Sequence, residues 1–70
     1  MKELIKPQKL AKLLREYREK NAVNGTRMSQ QGLANRIGVS YSTLQRWEYA
    51  QVRISPMMYR RLIQLEVIPS

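Results

Sequence analysis

Apolar residues recur at three- and four-residue intervals in four separate stretches of the chain, with polar or turn-forming residues between them. The first stretch carries Leu10, Leu13, Leu14 and Tyr17, the second Leu33, Ala34 and Ile37. Leu44 and Trp47 form the third, and Met58, Leu62 and Leu65 the fourth. That period is the signature of helices with one buried face. No stretch reads as a strand. The boundaries follow from start and stop chemistry. Pro7 suits a first helical turn, where its missing N–H is not needed, and predicts a helix over 7–21. Ser29 and Ser40 are good N-caps and predict helices running to 37 and about 49. Ser55-Pro56 repeats the start signal and opens a helix to about 66, stopped by Pro69. Asn24-Gly25 marks a turn within a loop over 21–26.

The second and third stretches belong together. A small Ala34 lets one short helix approach another closely. Gly38, which takes positive φ freely, sits in the link. Leu44 and Trp47 must then face inward against Leu33, Ala34 and Ile37. The spacing predicts a helix-turn-helix over about 29–49, with one face of its second helix free.

Composition narrows what that face meets. Seventy residues make one domain, and a chain so short buries only about 60% of its unfolded surface. Thirteen basic and five acidic residues give a net charge of +8 and a pI near 10.5. Such a balance points to a polyanion, either nucleic acid or an anionic membrane surface. Cysteine and histidine are both missing. That leaves no disulfide framework, no thiolate metal site and no imidazole base. With no glycine-rich phosphate loop or carboxylate cluster either, the residues offer nothing for an enzyme, a cofactor, a metal or a small-molecule substrate. No apolar run approaches the roughly 20 residues of a membrane span, and residues 1–10 lack a signal-peptide core. The expected location is cytoplasmic.

Residues 29–48 read SQQGLANRIGVSYSTLQRWE. The run resembles the Cro and phage-repressor-like helix-turn-helix proteins, the XRE family. It does so through Ser29, Gln30, Leu33, Ala34, Ile37, Gly38, Val39, Ser40, Thr43, Leu44, Trp47 and Glu48, all at the family's spacing. The resemblance implies an all-α, compact λ-repressor-like domain of four or five helices that binds double-stranded DNA. It also implies that Glu48 pairs with an arginine of the first helix, Arg18 ahead of Arg15. Departures are Gly32 inside a helix, Ala50 where relatives carry the Gly that follows the Glu, and a longer loop over 21–26. The chain also stops near where many relatives have a fifth helix.

Base contacts are expected from the start of the helix over 40–49. With Leu44 and Trp47 inward, Tyr41, Ser42, Gln45 and Arg46 point out, and the resemblance implies the same set. Arg46 suits guanine O6 and N7, a pairing worth about 1–3 kcal/mol of discrimination. Gln45 suits adenine or a phosphate. Tyr41 and Ser42 suit a thymine methyl, a base edge or the backbone. Gln30, beside the free N–H groups of a helix start, suits a phosphate, as the matching Gln does in the family. Arg27, Ser29, Ser40, Thr43 and Arg53 are further phosphate candidates. Glu48 reads as structural, since a carboxylate repels phosphate. The basic face of the first helix reads as solvated, and Met57, Met58, Tyr59 and Ile63 as core or as a dimer face.

The leading expectation is a sequence-specific regulator of transcription, most simply a repressor, acting as a homodimer on a two-fold site. A DNA-binding excisionase, architectural factor or antitoxin is the alternative. A basic membrane- or protein-binding module is a remote third.

Overall fold

The computed structural model describes residues 5–69, and within them the chain forms four α-helices around one core. These are α1 (Pro7–Lys20), α2 (Gln30–Ile37), α3 (Tyr41–Glu48) and α4 (Pro56–Gln64). The architecture is all-α; among the described residues the β structure is one isolated bridge between Val23 and Thr26. The three serines predicted as caps all act as caps. Each hydroxyl accepts from the backbone N–H three residues on: Ser29 from Gly32, Ser40 from Thr43 and Ser55 from Met58. This satisfies one of the orphan donors at each helix start. Pro7 and Pro56 stand at the first helical positions of α1 and α4.

The stops are less obvious from sequence. Three helices end on a residue with left-handed backbone, at Gly38 (φ 90°), Ala50 (φ 56°) and Glu66 (φ 59°). Behind each, an N–H folds back five residues: Val39 to Ala34 at 3.0 Å, Gln51 to Arg46 at 2.9 Å and Val67 to Leu62 at 2.9 Å. This closure uses carbonyls the helix would leave bare. Only Gly38 is a glycine. The absence of a Gly after Glu48 therefore does not alter the turn; Ala50 adopts the left-handed conformation anyway.

Two expectations are corrected here. Helix α4 stops at Gln64, not near Glu66, and Pro69 is not what stops it. The left-handed Glu66 reverses the chain, and Val67 and Ile68 turn back into the core. The loop over 21–26 is in turn tighter than its length suggests. Asn24 (φ 53°) and Gly25 (φ 79°) make a two-residue turn, with Val23 and Thr26 exchanging both backbone bonds at 2.8 and 2.9 Å. Asn-Gly is the preferred pair for that mirror-image turn.

The core joins Leu10, Leu14, Leu33, Ala34, Ile37, Leu44, Trp47, Ile54, Leu62, Val67 and Ile68. Trp47 is core, as the apolar stripe requires. Met58, Tyr59 and Ile63 pack partly against this cluster, whereas Met57 is 79% exposed. Arg61 closes the end of α2 by donating from Nε to the Ile37 carbonyl at 2.7 Å. A cation at a helix C-terminus also complements the helix dipole.

Candidate nucleic-acid interface

The site is built on a buried charge. Glu48, the last residue of α3, is 1% exposed. Arg18 of α1 clamps its carboxylate with a fork, Nε to Oε2 at 2.9 Å and Nη2 to Oε1 at 2.7 Å. Such a bidentate pair fixes geometry as well as charge. Arg18 also donates to the Met28 carbonyl at 3.3 Å, ahead of α2. Arg15 donates instead to the Glu48 backbone carbonyl at 2.9 Å. Both arginines considered for Glu48 thus serve it, and Arg18 alone takes the carboxylate. The end of α3 is pinned to α1, and a buried anion is left compensated.

From this anchor the network runs outward. The Gln30 Nε2 donates to Glu48 Oε1 at 3.2 Å. The Gln30 Oε1 accepts from the Tyr41 hydroxyl at 3.3 Å. Gln30 and Tyr41 are the first residues of α2 and α3, so the network locks the two helix starts side by side. Gln30, expected at a phosphate, is placed at the start of α2 within this network. Its amide is half-buried and held at both ends.

On the outer face of α3, Tyr41, Ser42 and Arg46 are exposed and Gln45 is half-buried. Leu44, Trp47 and Glu48 occupy the opposite side. Tyr41 is 42% exposed, with its ring available beside the hydroxyl it commits to Gln30. Of the residues expected at phosphates, Arg27 and Arg53 are exposed. The Ser29 and Ser40 hydroxyls cap their helices, and Ser40 also lies 2.9 Å from the Thr43 hydroxyl. Each hydroxyl oxygen is engaged in its own helix start, and the geometry brings Gln30, Tyr41, Ser40 and Thr43 to the α2–α3 entrance.

The sequence reading missed two details: that Arg15, weighed as a partner of the Glu48 carboxylate, reaches the Glu48 backbone carbonyl, and that Arg61 reaches the Ile37 carbonyl. Neither follows from periodicity, because each depends on how two helices meet. The Tyr41–Gln30 bond was equally hidden, since it depends on how two helix starts meet. Tyr17 also turns out to stack beneath Arg36, whose guanidinium carbon lies 5.7 Å from the ring centre. That contact ties α1 to α2.

A family model described as a helix-turn-helix domain matches residues 9–65. It takes in α2, α3, α4, all of α1 but its first two residues, and the whole Arg18–Glu48–Gln30–Tyr41 network. The chain belongs to this family, of the XRE/Cro-like type. No curated protein and no solved structure matches it. Membership gives this helix-turn-helix protein a DNA partner. Among the described residues, no helix is long and apolar enough to cross a membrane. No group of three or more acidic, cysteine or histidine residues among them is placed to hold a metal ion.

Proposed function

We propose that this helix-turn-helix protein is a non-enzymatic, sequence-specific regulator of transcription, a repressor, that lays α3 in the major groove of double-stranded DNA. In this reading the chain acts as one domain. Tyr41, Ser42, Gln45 and Arg46 read base edges. Arg27, Ser29, Gln30, Ser40, Thr43 and Arg53 hold phosphates. It works in the cytoplasm on the nucleoid, as a homodimer on a two-fold operator.

One observation carries the reading. The outer face of α3 presents Arg46 and Tyr41 to solvent, while its inner face is fixed by Leu44, Trp47 and the buried Arg18–Glu48 pair. Base reading needs a rigid helix with a polar, donor-bearing outer face. The rest of the motif supplies position: α2 starts with free N–H groups beside Gln30, and a helix start attracts phosphate. A net charge of +8 supplies sequence-independent attraction and fast association. A single module of this size offers only about 600–1,000 Å² of DNA interface, which favours two copies on one site.

Selection from random duplex DNA with the purified protein tests this, at roughly 150 mM salt to suppress counterion release. The reading expects an enriched inverted repeat with half-sites about one helical turn apart. Binding without enrichment that vanishes as salt rises would favour an architectural role.

A further inference from the structure

We infer that the Tyr41 hydroxyl meets DNA as a hydrogen-bond acceptor, and so selects adenine or cytosine at the base it faces. The inference rests on the reading of α3 as the base-reading helix and gives one of its residues a defined chemistry. It starts from the buried charge. Glu48 is held by Arg18 at 2.7 and 2.9 Å, and a carboxylate clamped by a guanidinium is an acceptor only. Gln30 approaches its Oε1 at 3.2 Å, so the amide must turn its NH₂ inward. An amide turned the other way would set carbonyl against carboxylate. The Gln30 carbonyl oxygen is thereby turned toward Tyr41, 3.3 Å from the hydroxyl. Against an acceptor, the hydroxyl must donate. Its single proton is used, and only lone pairs remain for a partner.

The polarity of one buried carboxylate is thus relayed through an amide to the protein surface. Phosphate oxygens are acceptors, so the hydroxyl engages a phosphate only by giving up Gln30. In the major groove, guanine N7 and O6 and thymine O4 are acceptors as well. The donors there are the adenine N6 and cytosine N4 amino groups. Tyr41 is 42% exposed at the first position of α3, where a helix-turn-helix brings side chains to base edges. Its hydroxyl therefore favours those two bases and disfavours guanine and thymine.

The test repeats the random-duplex selection with wild type, Tyr41→Phe and Gln30→Met, with circular dichroism to verify that each is folded. In wild type, one base position in each half-site should prefer adenine or cytosine. A neutral hydrogen bond contributes about 0.5–1.5 kcal/mol, or roughly 2- to 12-fold in preference. Tyr41→Phe should lose that preference at that position alone, leaving the Arg46 position unchanged. Gln30→Met frees the hydroxyl to donate, and should admit guanine and thymine at the same position. If Tyr41→Phe keeps every base preference and binds all duplexes more weakly, Tyr41 is a phosphate donor and the inference is overturned. It is overturned too if Gln30→Met leaves the preference intact. No enrichment with wild type would instead reject the base-reading role of α3, and this assignment with it.

Discussion

Replacing Ala50 by glycine should stabilise the protein, although it removes a methyl group. Ala50 closes α3 with φ 56°. Its N–H reaches the Trp47 carbonyl at 3.2 Å, and the next N–H reaches Arg46 at 2.9 Å. An L-residue in the left-handed region carries a penalty of roughly 1–2 kcal/mol from Cβ against the following carbonyl. Glycine removes that penalty. Against it stands the extra freedom of glycine in the unfolded chain, about 0.4–1 kcal/mol. Loss of a half-buried methyl takes back a few tenths more, since a fully buried CH₂ contributes only about 0.8 kcal/mol. The balance is a gain of about 0.5 kcal/mol. For a domain of this length 1 kcal/mol moves Tm by about 4–8 °C, so Ala50→Gly should raise it by roughly 2–4 °C. Thermal and urea unfolding followed by circular dichroism read this directly. Ala50→Val is the control: a β-branched side chain suffers more at positive φ, and should lower Tm. A fall in Tm for Ala50→Gly, or a rise for Ala50→Val, would show that the left-handed closure does not control the end of α3.

Other expectations follow from the same contacts. Arg18→Met leaves the Glu48 carboxylate buried without its partner, and should cost about 3–5 kcal/mol, much of the roughly 4–10 kcal/mol available to a domain of this size. Arg18→Met combined with Glu48→Met should recover most of that loss in a double-mutant cycle, and additive losses would contradict the pairing. Gly38→Ala should destabilise by about 1–2 kcal/mol, because φ is 90° and a Cβ there would come 3.1 Å from Nη2 of Arg61, whose Nε braces the end of α2; urea melts would measure the shift in midpoint. Ile68→Ala should cost about 2–5 kcal/mol, as expected of core and not of a tail, whereas Met57→Ala should change the urea midpoint little.

The parts of the fold that local chemistry decides were legible in the sequence. Ser29, Ser40 and Ser55 cap three helices because a hydroxyl can reach the third N–H whatever else is nearby. Asn24-Gly25 turns the chain because both residues tolerate positive φ. Leu44 and Trp47 face inward because their spacing leaves no other face. What stayed hidden depends on tertiary packing. Ala50 and Glu66 enter the left-handed region only because the segment after each one has somewhere to go, and for Glu66 that place is the core filled by Val67 and Ile68. The same holds for the site. Resemblance pointed to Arg18 and Glu48, and the structure joins them through a fork. That Gln30 is spoken for at both ends is a fact about how two helix starts meet, which no spacing encodes. Arg15 was weighed only against the Glu48 carboxylate and Arg61 not at all, since nothing in their neighbours reveals the carbonyl each one reaches.

The central claim is that α3 reads sequence, and Arg46 tests it most directly. Duplexes enriched by wild type, and scrambled versions of them, would be titrated with wild type and Arg46→Ala by fluorescence anisotropy at roughly 150 mM salt. A bidentate arginine–guanine contact is worth about 1–3 kcal/mol of discrimination, or roughly 5- to 150-fold. The account predicts that the ratio between enriched and scrambled duplexes shrinks by that factor, while affinity for the scrambled duplex falls far less. Equal losses on both duplexes, with the ranking of sites unchanged, would mean that Arg46 contributes charge alone and that sequence is read elsewhere.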